Sequence, residues 1–151
     1  MLGTLNSEQI EQVLRSEVIG RIGCHANGQT YVVPITYAYD GERVICHSSQ
    51  GMKIQMMRSN PEVCFEVEQV DNLANWRSVI ARGKYEELHG ETATKAIALL
   101  VERVMPIMAS ATVHLSHVEE ALRQGKDYQL SPQAVIFCIH LSEKTGREEK
   151  H

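Results

Sequence analysis

Two turn dipeptides constrain the fold more than any other feature of this chain. Asn27-Gly28 and Asp40-Gly41 each separate two runs that are rich in apolar and β-branched residues. Asn-Gly and Asp-Gly both favour the two-residue type I′ turn, whose backbone twist matches that of the flanking strands. The spacing therefore predicts an antiparallel meander of three strands, at 18–26, 30–39 and 43–48.

The rest of the chain adds strands and short helices without βαβ alternation or an internal repeat. A small antiparallel barrel with peripheral helices fits this pattern, because closing the sheet removes exposed strand edges. The further strands are predicted at 62–70, 76–88 and 133–142, with 143–151 trailing into solvent. Four helices are predicted. The first begins at a capping box formed by Asn6 and Gln9 and ends near Glu17. The second and third span 52–59 and 91–104, and the fourth begins at a capping box formed by Ser116 and Glu119.

Composition limits the class of protein. The 151 residues, 43% apolar and 23% charged, suit a single globular domain over 1–151. The net charge of −4 gives no reason to expect nucleic acid or an acidic membrane as the main partner, since both select basic surfaces. No stretch approaches the roughly 20 apolar residues of a membrane-spanning helix. Four widely spaced cysteines without a Cys-x-x-Cys pair indicate free thiols in a cytoplasmic protein, and no metal site is expected.

The segment VICHSSQGMK, residues 44–53, has the strongest chemical signature. A buried strand ends in His47, Ser48 and Ser49, and a helix begins just beyond Gly51. Backbone amides of such a turn can form an anion nest, and the helix N-terminus and Lys53 add positive charge. The segment therefore indicates a phosphate receptor, although an ordinary strand–turn–helix connection with a solvated lysine has the same composition.

Three other features carry weaker signals, each with a structural alternative. Pro34 interrupts a regular strand, so it marks either a bulge or edge, or a place where backbone groups face a flat ligand. Trp76 is expected to pack in the core, while the adjacent Arg77 and Ser78 can serve a polar ligand. His114 and His117 form an His-x-x-His pair, but they straddle a predicted helix start and are not expected to converge on a metal.

The two segments YVVPITYAYDGERVICHSSQGMKIQMMRSNPEVCFEVEQV and WRSVIARGKYEEL resemble the FMN-binding split-barrel proteins related to pyridoxamine 5′-phosphate oxidase, especially the nitroimidazole-resistance (Nim) subgroup. The resemblance extends from about Glu8 to Arg147. It implies a six-stranded antiparallel Greek-key split barrel that forms a homodimer, with FMN in clefts at the subunit interface. The basic residues with which the oxidase branch binds its vitamin substrate have no match in the C-terminal third, so pyridoxamine phosphate oxidation is not expected.

The resemblance also implies roles for individual residues. Ser48, Ser49 and Lys53 bind the FMN phosphate, and Gly51 shapes the turn. His47 lies near the flavin as the candidate catalytic residue. The segments expected to contact the ring and ribityl chain are Val33, Pro34, Ile35 and Thr36, followed by Trp76, Arg77 and Ser78.

These expectations lead to a flavin-dependent reductase as the first functional hypothesis. Electrons come from a nicotinamide donor, NADH or NADPH, and pass through FMN to a small acceptor such as a nitroimidazole, with His47 as a proton donor. The second hypothesis is a non-catalytic FMN- or haem-binding protein for storage, delivery or sensing. A third is a protein that holds a deazaflavin in the same cleft.

Overall fold

The computed structural model describes residues 1–107 and 133–151, and in these ranges the chain forms seven strands and three helices. The strands are β1 Leu2–Thr4, β2 Ile19–Ala26, β3 Gln29–Tyr39, β4 Arg43–Ser49, β5 Glu62–Asn72, β6 Asn75–Glu87 and β7 Ala134–Glu149. The helices are α1 Ser7–Ser16, α2 Met52–Ser59 and α3 Gly90–Val104.

All strand pairings within the described residues are antiparallel, and six of the strands close into a ring. The order around the ring is β7-β4-β3-β2-β5-β6, and β6 pairs with β7 again. The β2-β3-β4 meander is joined through α2 to β5, which returns to the far side of β2, as in a Greek key. The predicted six-stranded Greek-key barrel is confirmed. The three-residue β1, which pairs only with the end of β7, is an addition that the sequence did not indicate.

The two predicted turns differ in conformation. Asn27 and Gly28 have φ angles of 53° and 76°, as the type I′ turn requires at both central positions. At the second turn only Gly41 has a positive φ, and Asp40 accepts hydrogen bonds from the amides of Glu42 and Arg43. The prediction of a second type I′ turn is therefore wrong, because the Asp40 carboxylate organises a longer loop instead.

The capping box predicted for α1 is present. The Asn6 side chain accepts from the Gln9 amide at 2.9 Å, and the Gln9 side chain accepts from the Asn6 amide at 2.9 Å. The apolar face of α1 then packs on the barrel, where the hydroxyl of buried Tyr37 donates to the carbonyl of Leu14 at 2.8 Å. The helix ends at Ser16, next to the expected Glu17.

The main core fills the barrel, and α3 covers part of its outer surface. Tyr37 and Phe65 meet edge to face inside, with ring centroids 4.9 Å apart, and neither side chain reaches solvent. On the outer face, Ile45 and Cys138 pack against Ile97 of α3 in a second apolar cluster. The alternation of β4 and β7 thus serves two cores, one on each face.

The last strand is much longer than predicted. Residues 143–149 continue β7 and pair with β6, and the end of the strand also pairs with β1, so the prediction that they trail into solvent is wrong. Their polar side chains gave no strand signal, but their backbone groups are paired on β6. The register shifts at Gly83, where Ser142 is the extra residue on β7.

Two remaining expectations concern helices. None of the described helices combines the length and apolar character that a bilayer-spanning segment requires. The helix predicted after Ser116 and the pair His114 and His117 lie within 108–132, outside the described residues.

Candidate functional site

The predicted phosphate segment lies where the barrel wall divides. Strands β3 and β4 are paired only from Tyr37 to Tyr39, so Val33–Thr36 and His47–Ser49 belong to strands that are no longer joined to each other. After β4 ends, the chain makes a turn and enters α2 at Met52. Where β3 and β4 separate, the edge of β3 is unpaired within the described residues, and the N-terminus of α2 follows directly after β4.

Lys53 is the cation at this place. The side chain is half-buried, and no ion pair or hydrogen bond of its ammonium group occurs among the residues that the structure describes. Burial raises the pKa of the Cys24 and Cys46 thiols, and the charge of Lys53 opposes this rise in both. Lys53 therefore lies near the ends of β2 and β4, with a positive charge that has no protein counter-ion in the described residues.

The start of α2 adds hydrogen-bond donors. Gly51 is the N-cap residue, and it provides no side-chain acceptor for the first amide groups of the helix. These amides have no acceptor within the helix, so they can donate to a bound anion, which the helix dipole also favours. The Gly51 carbonyl accepts the first helical hydrogen bond from Gln55 at 3.1 Å.

The two serines point in different directions. Ser48 is 8% exposed and lies on the inner face of β4 with Cys46, whereas His47 and Ser49 are exposed on the opposite face. The Ser48 hydroxyl donates to the carbonyl of Ser49 at 3.0 Å. Strand alternation thus separates the predicted phosphate ligands, and Ser48 lies on the side of the strand that carries Cys46, close to Lys53.

His47 lies at the same strand end but on the outer face. Although its imidazole is exposed, desolvation by the surrounding protein lowers its pKa from the ordinary 6.5. The neutral form therefore predominates at neutral pH, and the imidazolium form is a stronger acid than a free histidine.

The turn between β4 and α2 is fixed by contacts that the sequence did not indicate. Nη1 of Arg58, on the last turn of α2, donates to the Gln50 side chain at 3.0 Å. Arg58 also forms an ion pair with Glu87, which accepts from the Tyr85 hydroxyl at 2.7 Å. The Gln50 amide donates to the carbonyl of Gln133 at 2.9 Å. The network attaches the turn to α2, β6 and the segment before β7.

The predicted ring-binding residues of β3 are divided between two faces. Ile35 is buried in the barrel and Val33 is half-buried, while Pro34 and Thr36 are exposed. Pro34 is aligned with Arg21 of β2, and its other edge faces no strand within the described ranges. The missing amide of Pro34 is consistent with an edge position.

The segment Trp76–Ser78 lies elsewhere in the same chain. Trp76 of β6 pairs with Val70 of β5. On the same strand β5, six residues before Val70, Cys64 pairs with Gly23 of β2, the neighbour of Cys24. Six residues of strand span about 20 Å, so Trp76 lies about that far along the sheet from the row of Cys64 and Gly23, and Ser78, which pairs with Glu68, lies about 13 Å along it.

A separate polar cavity of about 500 Å³ is lined by Trp76 and Arg77. The expectation that Trp76 packs in the core is wrong, because its side chain is half-buried at this cavity. Nε of Arg77 also forms a 3.1 Å ion pair with Glu148, so its guanidinium is already engaged.

The outer face of the sheet carries a wide groove of about 950 Å³ across β2, β3, β5 and β6. Val32 and Ile80 line it with 61% and 51% of their surfaces exposed, and Cys64 is exposed there as well. Charged residues lie between them on the two central strands of the groove, where Arg21 of β2 pairs with Glu66 and Glu68 of β5. Large exposed apolar side chains on a sheet face are typical of a surface that contacts another protein.

Comparison with known proteins gives consistent matches. A family model described as pyridoxamine 5′-phosphate oxidase matches residues 6–147. An uncharacterized protein of Rhizobium meliloti (strain 1021) is 38% identical over 84 residues, and the alignment spans only 56% of the length of each chain.

Solved structures extend these matches over nearly the whole chain. An FAD-binding protein from Mesorhizobium loti has a crystal structure with a TM-score of 0.73 at 29% identity, and 99% of both chains is covered. A protein from Bacteroides thetaiotaomicron, provisionally described as a 5-nitroimidazole antibiotic resistance protein, has a TM-score of 0.69 at 18% identity, with 98% of this chain and 89% of that chain covered. The last comparison concerns the fold alone.

Proposed function

The chain belongs to the pyridoxamine 5′-phosphate oxidase family, and on this premise we propose that it binds FMN and reduces small acceptors such as nitroimidazoles. A flavin is the ligand named for the Mesorhizobium loti protein, which is similar over its whole length. The observation that carries the proposal is the half-buried cation Lys53 at an uncapped helix start, beside the division between β3 and β4.

The residues at this division fit a phosphate monoester. Lys53 supplies a full positive charge without a counter-ion in the described residues, and α2 supplies amide donors and the positive end of its dipole. Each charge-assisted hydrogen bond to the phosphate contributes about 1.5–3 kcal/mol. Ser49 and the buried Ser48 end β4 next to this turn. The Ser49 hydroxyl is a further donor for the phosphate, whereas the Ser48 hydroxyl would first have to release the carbonyl of Ser49.

We assign the isoalloxazine ring to the wall formed by Val33–Thr36, next to this phosphate position. Pro34 offers no amide there, and the edge of β3 has no strand partner in the described part of the chain. Trp76 lies about 20 Å along the strands from the row of Gly23 and Cys64, next to Cys24. We propose that the segment Trp76–Ser78 contacts the flavin of a second copy of the chain, in a homodimer with two such sites.

The apolar groove on the outer sheet face provides a surface for this second copy. Val32 of β3 and Ile80 of β6 are exposed on its two sides, and their burial would remove apolar area from water. The groove is continuous with β2 and β3, whose ends border the proposed FMN site. Dimerisation through this face would thus bring the partner's strands towards the flavin.

Bound FMN supplies two-electron chemistry, with NADH or NADPH as donor and a small nitro-heterocycle as acceptor. The chain contributes orientation and protons. We assign the proton donation to His47 at the end of β4, because its lowered pKa makes the imidazolium form a stronger acid than a free histidine.

The absorption spectrum of the freshly purified protein tests the cofactor. We expect flavin bands in the visible region and release of FMN, rather than FAD, on denaturation. A Soret band in their place would identify a haem protein, and a protein that is colourless and binds no added FMN would contradict the proposal.

Anaerobic stopped-flow measurement tests the reaction. We expect NADH or NADPH to bleach the flavin bands, and a nitroimidazole to restore them at a rate proportional to its concentration. A bound flavin that no acceptor reoxidises would leave a non-catalytic FMN protein, and the reductase assignment would be withdrawn.

A further inference from the structure

A thiol, an imidazole and a carboxylate converge on the outer face of the barrel, away from the proposed flavin site. Glu86 of β6 is directly opposite Cys138 of β7, and His140 follows two residues later on the same face of that strand. One potential ligand atom from each residue lies within 4.8 Å of the other two. No other group of three such side chains with this spacing occurs in residues 1–107 and 133–151.

Both neighbours of His140 approach the same ring nitrogen. Nε2 lies 3.5 Å from Sγ of Cys138 and 3.2 Å from Oε2 of Glu86. A protonated Nε2 can donate to the carboxylate, but then the thiol hydrogen has no acceptor there. An unprotonated Nε2 accepts from the thiol, but then it faces the carboxylate without a hydrogen between them. Hydrogen bonding within the group therefore satisfies only one of the two contacts well.

These separations match the edges of a tetrahedral metal site. Zinc binds thiolate sulfur at about 2.3 Å and imidazole nitrogen or carboxylate oxygen at about 2.0–2.2 Å. At tetrahedral angles, those bonds place sulfur about 3.6 Å from nitrogen and nitrogen about 3.3 Å from oxygen. The two observed separations, 3.5 Å and 3.2 Å, agree with these values, and the third, between Sγ of Cys138 and the Glu86 carboxylate, is within 4.8 Å.

We propose that Glu86, Cys138 and His140 bind one zinc-like divalent transition-metal ion, with water as the fourth ligand. The ion replaces the thiol proton, which leaves to solvent, and takes Sγ, Nε2 and one carboxylate oxygen as ligands. A soft thiolate and an imidazole favour zinc, cobalt or copper over magnesium and calcium, which select oxygen ligands.

The surroundings allow such an ion to enter. The His140 and Glu86 side chains are 48% and 58% exposed, so they form an open approach to the buried Cys138. Two cations are aligned with His140 across the neighbouring strands, Arg43 of β4 and Lys84 of β6, and Arg43 is paired with Asp40 at 2.9 Å.

Cobalt titration of the tag-free holoprotein, after treatment with a chelator, tests the site. Co²⁺ in a tetrahedral thiolate site gives strong d–d bands at wavelengths beyond the absorption of oxidised flavin, whereas octahedral Co²⁺ gives weak ones. We expect one strongly absorbing Co²⁺ per chain, displaced by one equivalent of Zn²⁺. The protein should carry Cys64→Ser, so that the exposed thiol does not compete.

Three variants and one matched control decide the outcome. Glu86→Gln and His140→Ala change exposed side chains and should each weaken Co²⁺ binding by about tenfold or more. Cys138→Ser should abolish the strong d–d bands. His151→Ala removes a second imidazole–carboxylate pair of the same 3.2 Å separation, with Glu149, and should leave binding unchanged. Weak octahedral bands alone, or strong bands that survive His140→Ala and Glu86→Gln, would refute the site.

Discussion

Nη1 of Arg58 lies 3.0 Å from Oε1 of Gln50, so the last turn of α2 holds the residue that precedes its first turn. The same guanidinium is paired with Glu87 on β6. The shape of the turn around Ser49 and Gly51 is therefore set by tertiary contacts rather than by the turn sequence alone.

We expect Arg58→Ala to weaken FMN binding severalfold, because the amides at the start of α2 would no longer be held in one orientation. The measurement is a flavin-fluorescence titration, with thermal unfolding recorded for the same protein. Arg15→Ala on α1 is the control, since it removes an exposed arginine for which no ion pair is found in the described residues and which does not line the outer groove. Equal dissociation constants for Arg58→Ala and Arg15→Ala would contradict a positioning role.

We expect Lys53→Gln to weaken FMN binding by about tenfold or more, because one charged contact to the phosphate is lost. Riboflavin lacks the phosphate, so its affinity should not change. Lys95→Gln, at an exposed position on α3, is the matched control. An equal loss for FMN and riboflavin would show that Lys53 contacts some other part of the flavin.

We expect kcat for a nitro-acceptor to fall as the pH rises through a value below 6.5. Desolvation lowers the pKa of His47, and only its imidazolium form can give a proton. The variant His47→Gln should lose this pH dependence while it keeps FMN affinity. The control is His25→Gln on β2. If kcat of His47→Gln still falls over the same pH range, the titrating group is not His47 and the prediction is wrong.

We expect two defective variants to complement each other if one flavin contacts two copies of the chain. Lys53→Gln and Trp76→Ala should each bind FMN weakly alone. When they are unfolded and refolded together, mixed dimers carry one site with both native residues, so about a quarter of the sites should regain normal affinity. A monomer in light scattering, or no recovery on mixing, would argue against the shared site.

We expect Gly20→Ala to lower the free energy of unfolding by about 1–3 kcal/mol, the usual cost of overpacking a core. A Cβ at Gly20 would lie 2.6 Å from Cε2 of Phe65 and 2.9 Å from the carbonyl oxygen of Glu66. Gly23→Ala on the same strand is the control, because its Cβ would meet Cys64 at an ordinary 3.6 Å. Urea denaturation measures both, and equal stability of the two variants would be the contrary result.

Sequence patterns predicted the elements whose causes are local. The bounds of α2 were predicted at 52–59, and the capping box of α1 lies at Asn6 and Gln9 as expected. The Asn27-Gly28 turn was also identified correctly, because both residues tolerate a positive φ. Each of these signals depends on neighbours within a few residues, which a sequence displays directly.

Features that depend on distant partners were missed. Residues 143–149 are polar, and only their pairing with β6 and β1 makes them a strand. The contact between Gln50 and Arg58 depends on the path of α2. Glu86 and Cys138 are 52 positions apart in sequence, and no spacing rule for metal ligands covers a pair that meets across two strands.

The candidate flavin site was predicted in part. Gly51 precedes α2 and Lys53 lies in its first turn, as the predicted strand–turn–helix segment requires. The roles of all the assigned residues in flavin binding stay predictions. Strand alternation would have separated Ser48 from Ser49 in advance, since neighbouring residues face opposite sides. The distance between Lys53 and Trp76 could not be obtained from their spacing, because it depends on the register of β5 with β2 and β6.

The double pairing of β7 has a consequence for synthesis in the cell. This strand closes the ring against β4 on one side and β6 on the other. A chain still attached to the ribosome cannot complete its barrel until residues 134–149 have emerged, and until then β4 and β6 both present open edges. Chaperone demand should therefore peak late in translation, and a slow codon stretch just before β7 would prolong the interval in which nascent chains can aggregate.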